Sequence, residues 1–152
     1  MMRGDLATPL SAAVVAILSA DATVQALCGR ATRLVVPFED VNDAEDPVTE
    51  IPLPIVVYAY GQDTEVGGIG DQREVSLTLD VIAEGNDAAR VINQLSARLR
   101  DVLTWNAFQA HGLDAVVRAP VIRDGAAAEP EATRGLRIMR NLYTIWATAP
   151  AA

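Results

Sequence analysis

A handful of residues in this chain are of types that do chemistry, and their spacing can be tested against what each reaction needs. Cys28 and His111 are the single cysteine and the single histidine, so a thiolate nucleophile with its base would have to be this pair. Cys28 falls at the C-terminal end of a short predicted helical turn, where the helix dipole disfavours a thiolate and no neighbour in sequence favours one. A small buried hydrophobe is the better reading. The carboxylates of Glu39, Asp40, Asp43, Glu45 and Asp46 are dense enough to suggest calcium. An EF-hand loop, however, needs glycine at its sixth position and a bidentate glutamate at its twelfth. Counted from Asp40, those positions hold Glu45 and Ile51, so the run reads as a solvated or partner-facing loop.

Gly67, Gly68 and Gly70 imitate a phosphate cradle, but no Lys-Ser/Thr follows them. They also lead into a predicted strand, so no helix N-terminus awaits a phosphate. His111 has no partners at metal-ligand spacing. There is no Gly-x-Ser-x-Gly elbow. A carboxylate pair for glycoside hydrolysis can always be drawn among twenty acids, yet aromatic residues make up only 5% of the chain, few for a sugar-stacking cleft. No catalytic site, cofactor site or metal site is expected, and a carboxylate enzyme is the weakest of the readings.

The elements that would position any site are clearer. A chain of 152 residues, 51% hydrophobic, is long enough to bury a core as a single domain over residues 1–152. One cysteine allows no internal disulfide and suits a reducing compartment. Residues 10–18 faintly imitate a signal peptide, but Asp5 offsets Arg3, Pro9 and Ser11 interrupt the run, and Leu10, Ala13, Val14, Ile17 and Leu18 have the spacing of a core helix. No apolar run reaches the length that crosses a bilayer, and no membrane partner is expected.

The net charge of −8 disfavours a surface that grips nucleic acid through its phosphates. Charge is also split along the chain: residues 1–85 hold fourteen acids and four arginines, a net of −10, and residues 86–152 hold six acids and eight arginines, a net of +2. Every basic residue is an arginine. A GC-rich coding sequence explains that most simply, although arginine's planar fork also suits fixed pairing at interfaces.

Residues 74–103 organise the rest. Val75, Leu77, Leu79, Val81 and Ala83 alternate with polar residues, interrupted by Ile82, as in a strand with one dry face. After the Glu84-Gly85-Asn86-Asp87 turn, Val91, Ile92, Leu95, Leu99, Val102 and Leu103 form the stripe of a helix that must lie on that face. Upstream, Thr8 and Pro9 read as a helix start, Asp21 as the cap of a second short helix, and Gly29 as its left-handed stop. Residues 34–36 suggest a brief strand, and residues 55–60 a strand apolar on both sides and therefore covered on both.

Trp105, Phe108 and Leu113 are expected to seal the end of the long helix. Residues 115–121 suggest a strand, disturbed by Pro120 in the manner of an edge or bulge, and residues 136–147 a last strand whose alternation slips near Met139, as a bulge would cause. Three loops separate these elements: an acidic one at 37–52, a Gly-rich hairpin tip at 61–72 and a loose one at 124–135. The expected fold is α+β, a mainly antiparallel sheet of four to five strands packed against two main helices.

The strand "PLPIVVY", the strand-turn-helix "EVSLTLDVIAEGNDAARVINQLSARLRDVL" and the closing hairpin "GLDAVVRAPVIRDG…TRGLRIMRNLYTIWA" resemble, in order and spacing, the small tail-terminator (tail-completion) proteins of tailed phages and gene-transfer particles. The acidic segment 39–50 is longer than that family's pattern. The resemblance implies a non-enzymatic virion protein of the tail-neck region, assembled in the host cytoplasm. It implies a homohexameric ring that caps the tail-tube protein and meets the head-completion (stopper) protein, with DNA passing its bore without specific binding.

A ring needs one patch to meet a different patch, and the split charge offers candidates: Glu39, Asp40, Asp43, Glu45 and Asp46 against Arg118, Arg123, Arg137 and Arg140. The alternatives are a small soluble ligand-binding or regulatory α+β module and a neighbouring head–tail joining (neck) protein.

Overall fold

The structure, a computed structural model, describes residues 6–37, 52–66, 69–117, 121–125 and 137–148. Its elements are α1 (Ala7–Ala20), α2 (Ala22–Cys28), β1 (Val35–Pro37), β2 (Ile55–Val66), β3 (Ile69–Ala83), α3 (Ala88–Val102), α4 (Trp105–Ala110), β4 (Ala115–Val117), β5 (Val121–Gly125) and β6 (Arg137–Thr148). The expected α+β class holds. The sheet runs β1-β2-β3-β6-β4, with β5 also paired to β6, so β4 and β5 share one edge. Every pairing is antiparallel except β1 with β2, which is parallel.

The dry face of β3 is as the alternation predicts. Val75, Leu77, Leu79, Val81 and Ala83 are buried, and Val91, Ile92, Leu95 and Leu99 of α3 are buried with them. Fully burying a leucine contributes ~1.5–3 kcal/mol, and Leu77, Leu79, Leu95 and Leu99 are all at 0% exposure, so this layer dominates stability. Leu10, Ala13, Val14 and Leu18 of α1 join the same core. The run that imitates a signal peptide is thus a core helix. Among the described residues no single helix is long and apolar enough to cross a membrane.

Local signals hold with one exception. The Asp21 side chain accepts a hydrogen bond from the Val24 N–H and caps α2, and Gly29 ends it at φ 72°. Thr8 does not cap α1: the helix begins at Ala7 with Leu6 at the cap position and no side-chain cap bond. Leu6 is itself 1% exposed, so burial of a leucine fixes that end in place of a hydroxyl.

Two expectations about the strands need correction. The segment expected as a hairpin loop is mostly ladder, because β2 continues to Val66 and β3 begins at Ile69. The register slips between Tyr60↔Leu77 and Asp63↔Val75, so two β2 residues oppose Ser76. Gly61 lies at this bulge, where an added Cβ would stand 3.2 Å from the Ser76 Cβ; glycine permits the close approach.

Second, β6 carries no bulge. It pairs with β3 in one unbroken register from Arg137↔Ala83 to Thr148↔Gln72. The apparent slip near Met139 arises because Asn141, a polar residue, faces the core at 0% exposure, and Leu142 faces away. The strand expected over 115–121, with an edge position or bulge at Pro120, is met by β4 and β5, which pair with β6 at the sheet edge in registers that differ by one residue, in keeping with that expectation; residues 118–120 lie outside the described ones. Ile82, the residue that breaks β3's alternation, belongs to a second small core on the opposite face with Ile55 and Val57, flanked by Val36, Leu53 and Ile138.

Candidate interaction surface

The helices cover one face of the sheet; the other carries the side chains that could meet a partner. Residues directly opposite in an antiparallel pair share a face, so this face can be followed in rows. At one end lie Ile55, Ile82 and Ile138, the small second core. The next row is Val57, Asp80 and Arg140, with Arg123 opposite Arg140 in the register. At the far end the row is Thr64, Glu74, Trp146 and Val116.

In the middle row Arg140 Nε donates to Asp80 Oδ1 at 2.9 Å and Nη2 to Oδ2 at 3.0 Å, a two-pronged pair across β3 and β6. The hydrogen bonds it donates to Asp80 hold the Arg140 guanidinium above its ordinary pKa. One candidate interface arginine is therefore engaged within its own chain by an acid from the acidic half. A second such pair joins α3 to the helix junction: Arg98 donates to both carboxylate oxygens of Asp21, at 2.9 and 2.7 Å. That bonding lowers the Asp21 pKa against a smaller opposing push from burial. Arg137, another candidate, opens β6 and is exposed. Glu39, Asp40, Asp43, Glu45, Asp46 and Arg118 lie outside the described residues, and of Arg123 only the backbone position in β5 is described.

The far row was not singled out from sequence. Trp146 is 45% exposed and Val116 48%, side by side in the register. They stand beside a hollow of about 190 Å³ that Arg73, Asp114 and Thr148 also line. Asp114 organises this corner: its side chain accepts from Trp105 Nε1 at 3.0 Å and its carbonyl accepts from the Thr148 N–H at 3.0 Å. Trp105, expected to seal the helix end, is 45% exposed, whereas Phe108 and Leu113 are buried. The legible signal was parity: Trp146 stands at the wet positions of a strand whose other members alternate.

Burial pushes the Cys28 thiol up, with a weaker opposing pull from Arg30, so Cys28 is an inert packed side chain. Among the described residues no group of three or more His, Cys, Asp or Glu side chains could hold a metal ion. Asn141 donates to Ser96 Oγ of α3 at 3.1 Å and to the Leu79 carbonyl at 3.2 Å, while its own oxygen finds no partner among the described residues. Tyr60 is pushed up to about 12, chiefly by burial, with Ser11 acting weakly the other way; among the described residues its hydroxyl closes no hydrogen bond of normal geometry.

No protein-family model matches the chain, and no curated protein does. Among solved structures, a chain of the virion of the native gene transfer agent (GTA) particle matches with a TM-score of 0.57 and 18% identity, over 94% of this chain and 97% of the other. At that identity the likeness is one of fold, and it spans the two chains almost from end to end.

Proposed function

We propose that this chain is a structural virion protein that assembles as a ring, caps a phage-type tail tube and joins it to the head-completion complex. The observation that carries this reading is the likeness of fold, over 94% of this chain, with a chain of a GTA virion. The single cysteine and single histidine, far apart in sequence and in roles that are structural for the thiol, agree with a protein that works by matched surfaces.

Ring formation would use unlike patches on neighbouring copies. The acidic run 39–46 and the exposed Arg137 are candidates for one such contact. A ligand-binding module draws less support. Among the described residues, two hollows beside β4, of about 190 and 310 Å³, open outward, whereas a small-molecule site encloses most of its ligand.

Solution mass of the purified chain, with electron micrographs of mixtures containing tail-tube protein, tests the proposal. Rings, free or seated on tube ends, are the expected result. A strict monomer that never associates with tubes overturns it. Within the ring, Arg137→Glu is expected to lower ring yield more than Arg3→Glu; equal yields would remove Arg137 from the contact.

A further inference from the structure

We infer that Arg140 decides which face of β6 meets the helices: it bars the register displaced by one residue, in which its guanidinium would enter the core beneath α3, and so keeps Trp146 on the open face. The inference concerns the single chain and stands apart from the ring reading.

Hydrophobicity by itself leaves β6 close to undecided. Its covered face carries three large apolar side chains, Met139, Tyr143 and Ile145, and its open face carries three more, Ile138, Leu142 and Trp146. The covered set also includes Asn141, an amide at 0% exposure. A displacement by one residue would exchange the two sets and return that amide to solvent. Local chain geometry does not fix the choice either. β3 and β6 pair along the whole of β6, yet α3, α4, β4 and β5 lie between them in sequence, so no tight turn sets their register.

Charge is what separates the two registers. Displaced in either direction, Arg140 would face the helices, opposite Leu79 or Val81 in place of Asp80. Leu79 and Val81 are fully buried, as are Leu95 and Leu99 of α3 in the same core. Among the described residues no carboxylate is buried, so none waits there to pair with the guanidinium. Burying an unpaired cation is costly. The pair that Arg140 makes with Asp80 in the observed register is half exposed on the arginine side, and such a pair contributes little. The guanidinium therefore acts mainly by exclusion, as a charge set against an alternative packing, and its bond to Asp80 is secondary.

Nuclear Overhauser contacts between β3 and β6, measured on isotopically labelled protein, test the inference. The parent is expected to show one set, with Asp80 opposite Arg140. Arg140→Leu is expected to add a second set displaced by one residue. Arg140→Lys, which keeps the charge, and Asp80→Asn, which breaks the ion pair and keeps the arginine, are each expected to show the observed set alone. A single undisplaced set in folded Arg140→Leu would overturn the inference, because packing alone would then hold the register. A second set in Asp80→Asn would overturn it in favour of the ion pair. Unfolding of Arg140→Leu would overturn it as well, since the side chain would then supply stability and not a choice between registers. As a second measurement, a Trp105→Phe background leaves Trp146 as the remaining indole. There Arg140→Leu is expected to shield part of the fluorescence from acrylamide, and unchanged quenching counts against the displacement.

Discussion

The two faces of the one sheet are built on opposite principles. On the covered face, residues from β2, β3 and β6 interdigitate with α1 and α3, and the single polar intruder of the row, Asn141, is bonded to Ser96 and to backbone. On the open face, Ile55, Val57 and Ile82 form a small apolar cluster at one end. The middle is a cross-strand ion pair, and the far end leaves a tryptophan and a valine in water. Stability resides on the first face; the proposed contacts with other copies or partners would use the second. Because the strands are shared, a one-residue shift in any of them would exchange the two roles.

Mutations that separate the faces should differ widely in cost. The largest effect is expected at Leu79, fully buried on the covered face: Leu79→Ala should cost about 2–5 kcal/mol, whereas its open-face neighbour Thr78→Ala should stay within about 0.5 kcal/mol, both read from urea midpoints. Comparable costs would break the division between faces.

Asn141→Ala should cost about 1–3 kcal/mol, since it strips the buried Ser96 hydroxyl of its partner and leaves space behind. Asp21→Ala should cost about 1 kcal/mol at neutral pH through loss of the α2 cap. The Asp21 pKa is lowered in the folded chain, so its contribution is complete above the ordinary carboxylate pKa and fades as pH falls through the lowered one. The gap between the parent and Asp21→Asn should therefore narrow on acidification from pH 6 toward pH 3.

Smallest in stability is Arg140→Ala, whose side chain is half exposed and whose loss should cost below about 1 kcal/mol. Trp146→Ser should leave the urea midpoint near the parent's while reducing ring yield on tubes. A large stability loss there would move Trp146 from the recognition face to the core.

Much of this was legible in the chain itself where pattern and burial agree. The stripe of α3 and the alternation of β3 identified each other's packing face, and the Asp21 cap and Gly29 stop lie where their types demand. Legibility failed where a residue's neighbours across the sheet, and not along the chain, decide its environment. Asn141 and Leu142 read as a slipped register because nothing local reveals that Ser96, forty-five residues away, accepts a hydrogen bond from the asparagine's amide. Ile82 read as an interruption because its companions Ile55 and Ile138 come from other strands. Gly61 and the glycines after it read as a loop, although the first of them serves a bulge inside a ladder.

The candidate site suffered most from the same limit. Arg140 carries the right chemistry for an interface, yet its partner Asp80 is sixty residues upstream and becomes visible only through pairing. Trp146 is an ordinary aromatic strand residue until the sheet shows which side of it has no helix.

The position of β6 governs when this molecule becomes competent. It is the last described strand in the chain, yet it lies inside the sheet, between β3 on one side and β4 with β5 on the other. During synthesis β4 and β5 therefore emerge with nothing to pair with. The sheet can therefore be completed only after β6 has taken its place between them, once translation has passed Thr148.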